Sequence, residues 1–272
     1  MKTLYLSDLD GTLLRSDIRV SGYTASVINR FVQSGGYFSY ATARSLITSS
    51  KATEGLNVNF PVVCYNGAFI ISSQSGELLR ANYFTPEMAA TIRHTLTGLG
   101  VSPVVYAYVD GVERFSFIDH DVSEGMRFFL DERLGDIRRR EVHTEDELYR
   151  GEAFEFCCIS NATQLGPVNE IFAQDARVQC IYQQDIYSNA MWCELLSQDA
   201  TKANAALQLK DMLGCDKLVV FGDSRNDLSL FSVADQSYAM ANALPELKAV
   251  ATAVIGSNDQ DGVARWFEEN VL

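Results

Sequence analysis

The stretch YLSDLDGTLLRSD, residues 5–17, places Asp8 and Asp10 two positions apart where a short apolar run ends. Leu4-Tyr5-Leu6 reads as a buried strand, in which residues i and i+2 point to the same side. Two carboxylates crowded on one side repel each other and persist only beside a cation or around a shared proton. The competing reading is a plain strand-to-turn junction, because Asp10-Gly11 is a turn dipeptide and Asp17 can cap a helix. The rest of the chain separates the two.

Outward from this stretch, short apolar runs alternate with helix-like segments. A helix is expected over 22–34, with Val27, Ile28 and Phe31 on one side and Gly35-Gly36 ending it. Strands are expected over 37–41 and 61–65, with a helix over 45–54 between them, which is the pattern of parallel βαβ units. After Asn66-Gly67, residues 68–73 and 78–83 read as a hairpin. The middle of the chain has its own strands (104–109, 116–118, 154–159, 178–182) and helices (86–99, 121–130, 163–172). The parallel grammar then returns with a helix over 201–213, a strand over 218–221 and a helix from Asp227. Strands over 238–240 and 253–255 and a final helix over 261–269 complete it. The expected fold is α/β: a doubly wound parallel sheet over 1–80 and 190–272, interrupted by an inserted α+β domain over 81–189. No internal repeat interrupts it.

Composition narrows the function classes. The 272 residues carry 35 acidic and 22 basic side chains, a formal net charge of −13. A nucleic-acid backbone or an anionic membrane surface would be repelled, so neither is an expected partner. The one basic cluster, Arg138-Arg139-Arg140, is short and reads as a solvated face. The six cysteines show no CxxC spacing and most lie in apolar runs, as in Phe156-Cys157-Cys158-Ile159, which reads as reduced core residues rather than disulfides or a zinc site. Three scattered histidines, at 94, 120 and 143, offer no His-based centre. Met1-Lys2-Thr3 leads straight into a strand with no leader pattern, and no apolar run approaches the ~20 residues of a membrane span, so a cytoplasmic protein is expected.

In a parallel sheet, ligands bind outside the carboxyl ends of the strands. Four polar clusters fall there: Asp8-Leu9-Asp10-Gly11-Thr12, Ala41-Thr42-Ala43-Arg44, Thr201-Lys202, and FGDSRNDLSLF, in which Gly222-Asp223 runs on to Asn226-Asp227. Singly, Thr42 could cap a helix, Lys202 could be one exposed lysine and Asp227 could face a helix dipole. All four in this order at corresponding strand ends are hard to obtain by chance.

DxDGT, a small polar Thr motif, a lone Lys and GDxxND in that order resemble the haloacid dehalogenase superfamily. The insertion between the second and third motifs resembles the type IIB cap of its Cof-like phosphatases. Asn66-Gly67-Ala68, Glu194 ahead of Lys202, Ala243-Leu244-Pro245-Glu246-Leu247-Lys248, and Asn258 with Asp261-Gly262-Val263 match further. The resemblance is specific over 1–71 and 190–272, while the insertion matches only in position, size and strand content.

The resemblance implies a Mg2+-dependent phosphatase acting on a small phosphorylated metabolite, sugar phosphates first. It implies that Asp8 is the nucleophile, forming an aspartyl-phosphate, and that Asp10 protonates the leaving alcohol and then activates water. Leu9, Thr42, Ala43, Lys202 and Asn226 would bind the phosphoryl group. Asp223 would complete the Mg2+ site with the Asp8 carboxylate and the Asp10 carbonyl. Asp227, Arg44 and Asn66 would support that site, Asp227 by orienting Lys202, and the insertion would close over it and select the substrate. A carboxylate attacking a phosphate dianion faces charge repulsion, which a divalent cation and Lys202 cancel locally.

Three positions depart from the pattern, with Ala43, Ala203 and Ser224 where glycines are usual; none removes a charged group. A phosphosugar mutase or phosphotransferase on the same fold, and a non-catalytic phospho-ligand module, are the alternatives. The intact Asp8, Asp10, Lys202 and Asp223 argue against the last. The chain is expected to be a monomer or a weak homo-oligomer.

Overall fold

The computed structural model describes residues 1–58, 60–184 and 190–272. The chain divides into two compact units, Met1–Ala81 with Asp199–Leu272, and Asn82–Gln198. Before the insertion come strands β1 (Thr3–Ser7), β2 (Tyr37–Tyr40), β3 (Val62–Cys64), β4 (Phe69–Ile71) and β5 (Leu78–Ala81). Within it lie β6 (Val104–Val109), β7 (Val112–Ile118), β8 (Arg139–Val142), β9 (Glu152–Ser160), β10 (Val178–Gln184) and β11 (Met191–Ser197). After it come β12 (Lys217–Gly222), β13 (Gln236–Met240) and β14 (Ala253–Ile255).

The first unit is built on a five-stranded parallel sheet in the order β14-β13-β12-β1-β2. Leu4 and Leu6 on β1 are fully buried, and so are Val220 and Phe221 on β12, because helices cover the sheet. The helix Gly22–Gln33 starts where the Ser21 side chain accepts from the Thr24 N–H, and buries Val27, Ile28 and Phe31. Phe267, from the last helix Gly262–Asn270, packs edgewise or tilted on Tyr5, Phe31, Phe38 and Phe221. Each such ring contributes roughly 1.5–3 kcal/mol of burial. The third strand departs from a simple βαβ continuation: Val63 bridges Ala41 in parallel, but the β3 ladder is antiparallel to β4, which pairs with β5.

The second unit carries a six-stranded sheet, β10-β11-β9-β6-β7-β8, antiparallel except for β7–β8. Helices Pro86–Gly98 and Ala162–Phe172 bury Ile92, Leu96, Leu165 and Val168 with Phe156 on one face. Helix Glu124–Asp131 buries Met126, Phe129 and Leu130 with Phe115, Phe117 and Cys157 on the other.

Two expectations need correction. The insertion does not end at residue 189, which lies outside the described residues; β11 pairs antiparallel with both β10 and β9, so the chain leaves the second unit only after Gln198. Nor is Arg138 solvated: it is 6% exposed and reaches Glu113 at 2.8 Å and Asp136 at 2.6 Å. Two carboxylates offset the desolvation of its guanidinium, which a reading of the bare RRR run cannot anticipate.

Candidate active site

The site forms within the first unit, where β1 and β12 end side by side. The Asp8 N–H donates to the Phe221 carbonyl at 2.9 Å, extending the β1–β12 pairing by one residue. The chain then turns sharply through Leu9–Leu13, with Asp10 extended and Gly11 at φ 75°. Only glycine fits there: a Cβ would lie 2.4 Å from Asp223 Oδ2 on top of the left-handed strain. Thr12, next in the turn, donates its hydroxyl to Asp223 Oδ1 at 2.9 Å.

Beyond β12, Asp227 is fully buried and organises the second loop. Its Oδ2 accepts from the backbone N–H groups of Asp223 (3.0 Å) and Ser224 (3.1 Å), closing a reciprocal cap with Ser224. Ser224, where glycine is usual, therefore works as the cap of this turn. Lys202, 1% exposed at the start of helix Lys202–Met212, donates to Asp8 Oδ1 at 2.5 Å and to Asp227 Oδ1 at 2.8 Å. A single ammonium thus ties together the two loops that follow β1 and β12.

The helix start is held close by the Tyr65–Gly67 turn. Gly67 adopts φ 104°, and a Cβ on it would lie 2.2 Å from the Thr201 carbonyl oxygen. Asn66 donates its N–H to the Thr42 carbonyl at 2.9 Å and accepts at Oδ1 from Asn226 Nδ2 at 3.1 Å. Thr42 is buried and its hydroxyl accepts from the Arg44 N–H at 3.1 Å, whereas Ala43 is exposed between them. Arg44 grips Asp10 in a bidentate pair, at 2.7 and 2.6 Å.

Electrostatics follow from this packing. Carboxylate oxygens of Asp8, Asp223 and Asp227 all lie within 4.8 Å of one another, with one lysine among them. Burial pushes the Asp8 carboxyl well above the usual range; Lys202 pulls it back, and Asp227 and Asp223 push it up again. Burial likewise raises Asp223, to about 6, against the pull of the Thr12 hydrogen bond. Burial acts to lower the Lys202 ammonium, but Asp227 and Asp8 outweigh it and hold its proton more tightly than in free lysine. An all-oxygen donor set with excess negative charge suits a hard divalent cation such as Mg2+.

The structure brings Asp8, Lys202, Asp223 and Asp227 into one cluster, and links Asn226, Asn66 and Thr42 to it through a chain of hydrogen bonds. The Asp10 side chain stands apart from the carboxylate cluster, half exposed and held by Arg44. Leu9 is fully buried at the turn. Glu194 lies elsewhere, on β11 of the second unit. Two contributors had no role in the sequence reading. Thr12 fixes Asp223, and Asn242 donates to the Gly11 carbonyl at 2.8 Å while accepting from the Asn258 N–H at 3.1 Å. Thr12 was visible inside DxDGT; Asn242 carries no local signal beyond that of a turn residue.

Residues 5–267 match the haloacid dehalogenase-like hydrolase family. The chain belongs to that family. It is a hydrolase of the phosphatase type, and its relatives are so named. One, 5-amino-6-(5-phospho-D-ribitylamino)uracil phosphatase YitU of Bacillus subtilis, is 24% identical, with 96% of this chain and 95% of the relative covered. Another, the HMP-PP phosphatase of Cronobacter sakazakii, is 26% identical, with 98% and 95% covered. Among solved structures, TM0651 of Thermotoga maritima shares the fold, with a TM-score of 0.80, 23% identity, and 100% and 98% of the two chains covered. Among the described residues, no helix is long and apolar enough to cross a membrane.

Proposed function

We propose that this hydrolase cleaves small phosphate monoesters, with phosphorylated sugars and polyols as the first class to test, through a phosphorylated Asp8. The observation that carries this reading is the Lys202 clamp, which holds the Asp8 carboxylate beside Asp223 and Asp227 at adjacent strand ends. The phosphate on a ribityl chain in the name of the YitU relative supports the substrate class.

In the first half-reaction an Asp8 carboxylate oxygen attacks phosphorus in line, the bond from phosphorus to the alcohol oxygen breaks, and Asp10 gives that oxygen a proton. In the second, water attacks the phosphorus of the aspartyl-phosphate while Asp10 takes the proton, which regenerates the Asp8 carboxylate and releases phosphate. Lys202, Asn226, Thr42 and the backbone at Leu9 and Ala43 are assigned to the phosphoryl oxygens. Asp227 and Asn66 hold Lys202 and Asn226 in place. Asp8 and Asp223, with the Asp10 carbonyl, are the residues assigned to Mg2+, which supplies charge neutralisation between carboxylate and phosphate when bound. Asp10 must leave the Arg44 pair to carry a proton, so Arg44 sets when that carboxyl is available.

The test is phosphate release from a panel of phosphorylated metabolites, with Mg2+ and with chelator, beside Asp8→Asn. The reading expects Mg2+-dependent release that falls by on the order of 10³-fold or more in the variant. Release that survives Asp8→Asn contradicts it.

A further inference from the structure

The second unit holds a different cluster, on the sheet face covered by helix Glu124–Asp131. Glu155 and Cys157 project from β9 and Glu194 from β11, with Glu194 and Cys157 paired in register. One oxygen of each carboxylate and the Cys157 sulfur lie within 4.8 Å of one another. Glu155 is 7% exposed and Cys157 is 1% exposed. Among the described residues, none of the three side chains makes a hydrogen bond. The buried Cys157 thiol and Glu155 carboxylate thus lie beside the part-buried Glu194 carboxylate, with no hydrogen bond on any of the three among the described residues. Burial is costly for such groups unless a proton or a cation joins them.

The surroundings set the charge the cluster can take. Tyr106 is the register partner of Glu155 on β6. Glu113 pushes electrostatically on Glu155, but is itself paired with Arg138 at 2.8 Å. Arg133 pulls on Cys157. With both carboxyls and the thiol ionised the three groups carry −3, a charge that a divalent cation would largely offset.

We propose that Glu155, Cys157 and Glu194 form a second, zinc-class divalent cation site, separate from the Asp8 cluster. A thiolate beside two carboxylates selects a borderline-soft ion over Mg2+, and three protein ligands leave a fourth tetrahedral position for water. The ligands come from two strands, so no CxxC-like spacing announces them. Binding would displace the protons that burial otherwise retains on the cluster.

The test uses the full-length protein, stripped with chelator and returned to excess Mg2+ to occupy the Asp8 cluster. Titration with Co2+ is expected to give a thiolate-to-cobalt charge-transfer band that persists in Cys180→Ser and disappears in Cys157→Ser. Calorimetric titration with Zn2+ is expected to show one equivalent whose affinity falls at least about tenfold in Glu194→Gln. Absence of the cobalt band from the unmutated protein overturns the proposal, even if a variant fails to fold. So does Zn2+ binding that is unchanged in both Cys157→Ser and Glu194→Gln.

Discussion

At the residue scale, the site turns on what each carboxylate touches. Asp8 is held by Lys202 and buried, whereas Asp10 is half exposed and held by Arg44, so two acids two residues apart are given different environments. That difference suits one to attack and the other to exchange protons with solvent and substrate. Asp10→Asn is expected to slow the first half-reaction, read as single-turnover release of the alcohol, by about 10²–10⁴-fold on alkyl phosphates and far less on aryl phosphates. An aryl oxide leaves without a proton. Equal losses on both in that single-turnover step would remove the acid role. Gly11→Ala is expected to cost about 1–3 kcal/mol of stability, read from urea unfolding, and to lower activity as well. Its Cβ would displace Asp223 and its φ is left-handed. Much of this was legible, because Asp8, Asp10, Gly11 and Asp223 sit in short motifs. The Arg44–Asp10 grip was not, since nothing in a sequence says which way two flexible side chains turn.

At the element scale, helix Lys202–Met212 delivers one side chain to two loops. Its N-terminus is docked by the left-handed Gly67, and Thr201 caps it by accepting from the Asn204 N–H. Replacing Lys202 with Met leaves Asp8 and Asp227 buried without their cation. The expected outcome is loss of turnover and a destabilisation of about 3–5 kcal/mol in chelator, shrinking at acid pH as the Asp8 carboxyl, raised by burial, takes up a proton. Urea unfolding at two pH values checks both parts.

The elements that carry these groups were readable from apolar runs, as in Leu4-Tyr5-Leu6 and Leu218-Val219-Val220-Phe221. β8 and β11 were not. Arg139-Arg140-Glu141-Val142 is an edge strand whose charged side chains hide its period. Met191–Ser197 carries Glu194 on a face where a buried strand normally places an apolar residue. The misplaced end of the insertion follows directly from missing that strand.

At the scale of the whole molecule, the two units carry different electrostatic liabilities. In the first, the carboxylate cluster is offset by Lys202. In the second, burial pushes Glu155 well above the usual carboxylate range and Glu194 up to about 7. A carboxyl whose pKa is higher folded than unfolded stabilises fully below the unfolded value, and that contribution is lost as pH rises through the folded value. In chelator, the second unit should therefore lose stability between about pH 4.5 and 7, and Glu194→Gln should flatten that slope. Unfolding followed by Trp192 fluorescence in a Trp266→Phe background reads it. A slope unchanged by Glu194→Gln would rule out that carboxyl as the source.

The central claim is that phosphate passes through Asp8. Rapid acid quench during turnover, followed by peptide mass analysis, tests it most directly. A phosphorylated peptide spanning Asp8 is expected, formed within the first turnover and absent from Asp8→Asn. Phosphate release at full rate with no phosphorylated Asp8 at any quench time, or phosphorylation of a different residue, would contradict it.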